Sequence, residues 1–211
     1  MGCEMRRSDY QREENYYEYL RLLQNKDYLD VTFDEKSGGV SAVHKYHKFD
    51  KQQGAYGYRR GDYERQALEV LRRSGFRVVL ESEISSQEMK RYDGYLNDRP
   101  LEIKSVEGAG TWTISTKLRN AVKQHALCVA LLYPREDIFS WFKMKDGLRL
   151  FLSSPESNKD NLEMIIVIVG NRIVASWDKK TTPDEGWSVW EGLRGQNGAS
   201  PFTILPSGAK V

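Results

Sequence analysis

Two acids and a lysine stand close together in the stretch RYDGYLNDRPLEIKSVE, residues 91–107. Side chains alternate across a β-strand, so Glu102 and Lys104 should lie on one face of a strand covering LEIKSV. Asp93 belongs to a preceding predicted strand, and a hairpin that turns at residues 97–100 brings it opposite Glu102. The sequence therefore predicts two carboxylates and one ammonium group in a single patch.

Such a patch favours metal-assisted chemistry on phosphate esters. Two neighbouring carboxylates repel each other unless a proton or a cation joins them. Mg²⁺ suits this position because proteins hold it with one or two carboxylates together with phosphate oxygens of a substrate. The lysine can orient a water molecule or stabilise negative charge that develops on a phosphoryl group. Asp93, Glu102 and Lys104 are therefore candidate catalytic residues.

A further acid, Glu64, lies in a predicted helix four and seven residues before Leu68 and Leu71. This spacing places Glu64 on the same stripe as the two leucines, which face the core. A carboxylate turned inward is costly unless it has a partner, and the metal patch could be that partner. The predicted metal ligands are thus Glu64, Asp93 and Glu102, and the predicted ion is Mg²⁺ or Mn²⁺.

Each of these four residues also has an ordinary structural interpretation. Glu102 and Lys104 could be two solvated charges on an exposed strand face. Glu64 could be an acid in the first helical turn, where the helix dipole favours it. Asp93 precedes Gly94 and could be a turn residue. The occurrence of all four on the expected elements, in one consistent chain order, favours the catalytic interpretation.

A segment rich in basic and aromatic residues precedes the predicted site. Repeated glycines interrupt any periodicity in residues 32–61, which indicates a long loop that could act as a lid or an arm. Lys45, Lys48, Arg59 and Arg60 are candidates for contact with nucleic-acid phosphates, and the tyrosines between them could stack on bases. A soluble surface loop would explain the charges equally well.

Other polar side chains near the predicted site allow several interpretations. His44 and His47 suggest a metal or acid-base role, but their spacing and the lack of a third ligand do not support it, so we expect solvated or phosphate-facing side chains. Lys117 and Gln124 lie about two turns apart on a predicted helix. This polar face could contact backbone phosphate or brace the catalytic hairpin, and Gln124 could equally be a solvated helix residue.

The elements that must position these residues alternate between helix and strand. Helices are predicted for residues 9–25, 63–75, 115–126 and 137–152. Asp62 is predicted to cap the second helix, and Gly147 could interrupt the last. Strands are predicted for residues 76–81, 90–96, 101–106 and 126–133, and for two segments of 163–177 that turn at Gly170-Asn171.

This order predicts an α/β (α+β) fold with a central mixed sheet flanked by helices and the core order α-β-β-β-α-β. The predicted organisation has three parts. Residues 1–61 form an N-terminal helix and a basic, aromatic arm. Residues 62–177 form the core with an added helix and hairpin, and residues 178–211 form a C-terminal extension.

The arrangement of Glu64 on the first helix, Asp93 on a strand and Glu102-Ile103-Lys104 on the next strand resembles the core of the PD-(D/E)XK phosphodiesterase superfamily. The resemblance covers roughly residues 62–133. It implies a divalent-metal-dependent endonuclease, in which the acids bind the metal and the lysine helps to activate the attacking water. Tyr92 stands where the motif has Pro, a position that varies among such enzymes.

Within that superfamily, the tract YDGYLNDRPLEIKSVEGAGTWTISTKLRNAVKQHALCVALLY is similar to the C-terminal toxin domains of contact-dependent growth inhibition proteins, including tRNA nucleases. This similarity implies an RNA substrate, a cognate immunity protein, and delivery to the cytoplasm of a target cell within a larger protein. DNA is the alternative substrate, because the superfamily acts more often on DNA. The upstream segment FDEKSGGVSAVHKYHKFDK is also similar to segments of phage head-associated nuclease-like proteins, so a non-catalytic phage module is a further alternative.

Composition limits these alternatives. The chain has 32 Lys and Arg against 30 Asp and Glu, so any basic nucleic-acid surface must be local. Hydrophobic residues make up 39% of the chain, which excludes a disordered protein. Cys3 and Cys128 lie too far apart in the chain to indicate a disulfide framework or a zinc site. The longest apolar run, MIIVIV, is too short to span a bilayer, and we expect a soluble protein in a reducing compartment.

Overall fold

The computed structural model describes residues 7–82, 92–108, 110–154 and 161–178. Within these ranges the chain forms four α-helices, eight β-strands and two short 3₁₀ helices. The α-helices are α1 (Arg7–Gln24), α2 (Arg60–Arg73), α3 (Thr111–Lys123) and α4 (Trp141–Leu152). The strands are β1 (Tyr28–Phe33), β2 (Val40–His44), β3 (Arg77–Leu80), β4 (Gly94–Leu96), β5 (Arg99–Ser105), β6 (Cys128–Tyr133), β7 (Met164–Val169) and β8 (Arg172–Asp178).

All eight strands belong to one mixed sheet, and their order in the sheet follows their order in the chain. The pairs β2–β3, β5–β6 and β6–β7 are parallel, and their connections contain α2, α3 and α4 respectively. The other neighbouring strands are antiparallel. A mixed sheet flanked by helices is the predicted fold class, and the core order α2-β3-β4-β5-α3-β6 is the predicted order.

Two large hydrophobic clusters cover the faces of the central strands, and a third, smaller cluster joins Leu22 of α1 to β2 and β3. One contains Ala67 and Leu71 of α2 together with one set of alternating residues from β3, β5, β6 and β7. The other contains Leu118 of α3 and Leu148 of α4 with the opposite set from β6 and β7. Both faces of β6 and β7 are covered, which explains why their sequences CVALLY and MIIVIV are continuous apolar runs.

The hairpin β4–β5 turns at Asn97-Asp98, as predicted. Asn97 and Asp98 have φ angles of 46° and 66°, and Asn and Asp tolerate this left-handed region better than most residues. Gly94 at the start of β4 is required by close packing, because a Cβ atom there would lie 2.1 Å from the carbonyl oxygen of Val79. This close approach holds β4 against β3 and fixes the position of Asp93 just before it.

The prediction of a long loop over residues 32–61 was wrong for its first half. Val40 to His44 form β2, which pairs with β3 inside the same sheet as the core strands. Gly38, with a φ of 76°, allows the turn from β1 into β2. The buried side chain of Asn15 fixes this turn by donating to the carbonyl oxygens of Gly38 (2.9 Å) and Gly75 (3.2 Å). The repeated glycines around this segment interrupt the sequence pattern, so the short strand β2 was not predicted.

The predicted interruption at Gly147 was also wrong, because α4 continues from Trp141 to Leu152. A Cβ atom at Gly147 would lie 2.6 Å from the Cβ of Ile114 and 2.8 Å from the carbonyl oxygen of Thr111. The glycine therefore permits α3 and α4 to pack closely. Asp62 lies inside α2 instead of preceding it, and its side chain accepts a hydrogen bond from the Arg59 amide at 3.0 Å.

Some predictions concern residues outside the described ranges. They are the C-terminal extension beyond Asp178 and the first two residues of the predicted strand at 90–96. Among the described helices, none combines the length and the apolar character needed to cross a membrane.

Candidate active site

The predicted site residues gather at one edge of the sheet. The parallel strands β2, β3 and β5 end at this edge, and the antiparallel β4 begins there. α2 also begins at this edge, because it follows the end of β2. Open α/β sheets bind ligands in the crevice outside the carboxyl ends of their strands. This fold therefore places Glu64, Asp93 and Lys104 where a binding crevice is expected.

A groove of about 1280 Å³ lies along this edge, and we call it the edge groove. Its lining includes all four predicted catalytic residues, Glu64, Asp93, Glu102 and Lys104. It also includes the basic and polar residues Lys48, Lys51, Arg59, Arg60, Lys117, Asn120 and Gln124. The structure thus brings together acids and cations that come from α2, the β4–β5 hairpin, α3 and the 45–59 loop, which connects β2 to α2.

The β4–β5 hairpin places Asp93 and Glu102 near each other, as predicted. Gly94 pairs with Leu101, so Asp93, which directly precedes β4 instead of lying in the predicted strand, is next to the position opposite Glu102 of β5. Asp93 Oδ2 accepts a hydrogen bond of 2.7 Å from the Ile103 amide. Burial raises the pKa of Asp93 well above its ordinary value, and the charges of Glu102 and Glu64 raise it further, against the opposing effects of Lys104 and this hydrogen bond. The two neighbouring acids thus oppose the ionisation of Asp93.

Lys104 links the acids to α3. Its ammonium group contacts Glu102 Oε1 and also donates to Gln124 Oε1 at 3.1 Å. Gln124 is only 8% exposed. Gln124 therefore braces Lys104, and its interpretation as a solvated helix residue was wrong. Burial lowers the pKa of the nearby Lys117, and the positive charge of Lys104 lowers it further.

The expectation that His47 would be solvated or phosphate-facing was wrong. His47 is buried, and its two ring nitrogens lie 2.8 Å from the carbonyl oxygen of Glu81 and 3.0 Å from Glu64 Oε1. A carbonyl oxygen only accepts, so Nδ1 carries a proton. Burial opposes the charged imidazolium, but the hydrogen bond and charge of Glu64 outweigh it, and the pKa of His47 is raised. His47 therefore holds Glu64 in place at the edge groove.

Glu107 is a second residue whose role was not predicted. Its carboxylate accepts hydrogen bonds from the Ala55 amide at 2.7 Å and from the Ser105 hydroxyl at 3.0 Å. Arg60 Nε lies 3.4 Å from the same carboxylate, and the Tyr56 hydroxyl donates to the Glu107 carbonyl oxygen at 3.1 Å. Glu107 thereby fixes the 45–59 loop to the end of β5.

The predicted phosphate contacts separate into two groups. Lys48, Arg59 and Arg60 line the edge groove and are exposed. Lys45 does not line it, because its ammonium group pairs with Asp27 at 2.6 Å. His44 likewise lies outside the edge groove, with its ring against Tyr28 at a centroid distance of 5.4 Å.

The donor set fits a hard divalent cation only in part. Each of Glu64 and Asp93 uses one carboxylate oxygen in a hydrogen bond, and the other oxygen bonds to nothing in the described part of the chain. Carboxylate oxygens are suitable ligands for Mg²⁺. However, the described residues contain no group of three or more His, Cys, Asp or Glu residues that could hold a metal ion. Water and substrate oxygens would have to complete the coordination.

Replacing Asp93 with Asn is expected to raise the free energy of unfolding of the metal-free protein at pH 7. The fold raises the pKa of Asp93, so the folded chain binds this proton more tightly than the unfolded chain. Wild-type stability should therefore fall as the pH rises from about 3.9, the unfolded pKa, through the higher folded pKa. The Asn variant should lack this fall, and its amide oxygen can still accept from Ile103. Urea melts in EDTA between pH 4 and pH 8 measure both effects.

Asp98→Asn is the matched control for this experiment. Asp98 lies in the turn of the same hairpin, and its side chain is 82% exposed beside Arg77. This variant should keep the pH dependence of the wild type. An Asp93→Asn protein that is less stable than the wild type at pH 7 would show that the acids are not crowded.

No known protein family matches this sequence, and no curated protein matches it. Among solved structures, the chain is similar to a chain of the CdiA-CT/CdiI toxin and immunity complex from Burkholderia pseudomallei, with a TM-score of 0.45 and 16% sequence identity. The match covers 65% of this chain and 98% of that chain. A likeness this distant assigns neither an activity nor a substrate.

Proposed function

We propose that this chain is a divalent-metal-dependent endonuclease that hydrolyses phosphodiester bonds in the edge groove. The observation that supports this proposal best is the crowding of Asp93 by Glu102 and Glu64 beside Lys104, in a groove that also carries exposed cations. Crowded acids favour the binding of a cation between them, and exposed cations suit a polyanionic substrate. A merely structural ion pair requires neither the additional acids nor the groove.

The residues of the edge groove have different roles in the proposed reaction. Asp93, Glu102 and Glu64 do not form a complete three-residue ligand set in the described structure, so they would hold the ion together with water and substrate oxygens. His47 keeps Glu64 oriented. A bound divalent ion supplies Lewis acidity toward the phosphate and lowers the pKa of a coordinated water. Lys104, held by Glu102 and Gln124, presents its ammonium group where it can orient the attacking water or stabilise charge on the phosphate.

The preferred substrate is RNA of the tRNA type, and the proposed role is that of a toxin domain. Both rest on the resemblance of residues 92–133 to toxin domains of contact-dependent growth inhibition proteins. The same resemblance supports a cognate immunity protein, delivery as part of a larger protein, and action in the cytoplasm of the target cell. DNA is the alternative substrate, and the groove cations would bind either polymer.

Incubation with total tRNA and with plasmid DNA tests the proposal. Cleavage is expected with Mg²⁺ or Mn²⁺, should stop when EDTA is added, and should return when excess metal is restored. Cleavage that persists in EDTA would contradict the metal mechanism and favour an acid-base ribonuclease that uses a histidine. Stable tRNA together with degraded plasmid would assign DNA as the substrate.

A triple variant in which Lys48, Lys51 and Arg59 are each replaced with Gln is expected to bind nucleic acid more weakly. Its affinity should also depend less steeply on the salt concentration. All three side chains are exposed and line the edge groove. Each lost phosphate contact should reduce the slope of log affinity against log salt by about 0.7 for a single strand and about 0.9 for a duplex. Anisotropy titrations in EDTA at salt concentrations between about 50 and 200 mM measure the slope.

The matched control is the triple change of Lys26, Lys36 and Lys45 to Gln. It removes the same charge from exposed lysines that do not line the edge groove. Its slope should stay close to that of the wild type. Equal losses in the two triple variants would mean that the net charge, and not the groove, determines binding.

A further inference from the structure

α3 extends the surface of the edge groove toward an exposed tryptophan. Trp112, Thr116 and Asn120 follow one another at intervals of four residues in α3, so they share one face of the helix. Asn120 lines the edge groove, and all three side chains are exposed. Trp112 lies about 12 Å from Asn120 along the helix axis, which a few nucleotides of one strand can span.

Trp112 is unusually accessible for a residue of its type. Its side chain is 66% exposed, and its indole ring makes no ring-ring or cation-ring contact with the described part of the chain. Tryptophan is enriched at surfaces that bind partners, so an accessible indole ring beside a groove is a candidate contact. The packing of α3 does not require it, because the inward-facing residues of that helix are Ile114, Leu118, Ala121 and Val122.

The charge of the adjoining surface identifies the partner class. The edge groove presents the exposed cations Lys48, Lys51 and Arg59 and the half-buried Lys117. A groove that presents exposed cations and leads toward an exposed aromatic ring matches the phosphates and bases of a polynucleotide. In a duplex each base is stacked and paired, so its face is not accessible to an indole ring. An unpaired base can stack on it.

We propose that the edge groove binds an unpaired single-stranded segment of nucleic acid, and that one of its bases stacks on Trp112. This inference rests on the proposed nuclease function and adds the form of its substrate. The strand lies with its phosphates along the groove cations and with one base on the exposed face of α3. Looped or single-stranded segments are therefore bound in preference to continuous duplex.

Binding titrations in EDTA test the inference without requiring cleavage. The probes are labelled 12-nucleotide strands of RNA and of DNA and the matching 12-base-pair duplexes. Trp112→Ala should weaken single-strand binding by about five- to hundredfold, the range expected for one stacked base, and should change duplex binding less than about twofold. Trp112→Phe, which keeps an aromatic ring, should recover most of the loss. Weaker binding of either the RNA strand or the DNA strand supports the inference. The strand that the wild-type protein binds more tightly identifies the preferred polymer.

Tyr17→Ala is the matched control. Tyr17 is a 62% exposed aromatic residue on α1, outside the edge groove, and this variant should bind like the wild type. Unchanged single-strand binding by Trp112→Ala, or an equal loss for the duplex, would overturn the inference. A protein that binds single strands through Trp112 and yet cuts neither polymer with metal present would refute the proposed function and leave this inference standing.

Discussion

Replacing Glu102 with Gln is expected to lower the rate of cleavage at least about a hundredfold, the usual loss when one well-placed electrostatic group is removed from an active site. Glu102 is 1% exposed, contacts Lys104 and contributes to the raised pKa of Asp93. Gln keeps the shape of the side chain and removes its charge, so the fold should persist while the cation loses a ligand. Initial rates on saturating RNA or DNA in Mn²⁺ measure the effect.

Glu69→Gln is the control for loss of an acid from an ion pair. Glu69 pairs with Arg72 and Arg73 on α2, away from the edge groove, at 2.7 and 2.6 Å. Its variant should cleave at nearly the wild-type rate. If Glu102→Gln also retained most of the wild-type activity, the hairpin acids would not belong to the catalytic site.

Adding Mn²⁺ or Mg²⁺ is expected to stabilise the wild-type protein by about 2.7 kcal/mol when the ion is present at a hundred times its dissociation constant. In a protein of this size the gain corresponds to a rise of roughly 5–10 °C in melting temperature. The physical reason is that the proposed ion would bind the folded chain, where Glu64 and Glu102 crowd Asp93, and not the unfolded chain. Matched thermal melts in EDTA and in Mn²⁺ measure the difference.

Thermal melts of the Glu102→Gln protein in EDTA and in Mn²⁺ distinguish a metal-binding role of Glu102 from a structural ion pair. In EDTA two effects oppose each other, because Asp93 is relieved of a like charge while Lys104 loses its charged partner. We expect a net change within about 1 kcal/mol, and Gln124 still accepts from Lys104. The gain from Mn²⁺ should disappear in this variant and persist in Glu69→Gln. A Glu102→Gln protein that is strongly destabilised and indifferent to metal would instead assign Glu102 a structural role.

Strand periodicity and chain order were sufficient to predict the central part of the fold. The continuous apolar runs of β6 and β7 indicated buried strands, and Asn97-Asp98 indicated the hairpin turn. Alternation along β5 then placed Glu102 and Lys104 on one face, and the hairpin placed Asp93 beside them. These inferences succeeded because each depends on residues close together in the chain.

The contacts of His47 and Glu107 could not be predicted in this way. His47 meets Glu64, 17 residues away, and Glu107 meets Ala55, 52 residues away. No periodic pattern in the sequence connects residues this far apart. From the sequence alone, a buried histidine in a glycine-rich basic segment cannot be distinguished from a solvated one. Lys45 is the opposite case. The sequence suggested the same role for it as for Lys48, but in the structure it pairs with Asp27 outside the edge groove. Long-range packing decides which polar residues reach a site.

The strictly sequential strand order also determines how this domain would come apart under mechanical tension. A force applied to the chain after β8 would pull on an outer strand of the sheet, and the next strand inward would always be the preceding one in the chain. β8, β7 and β6 could therefore leave in turn without any segment being drawn through a loop. The edge-groove residues lie between His47 and Gln124, upstream of all three strands. Unravelling from this end would therefore reach the edge-groove residues only after all three strands had left the sheet.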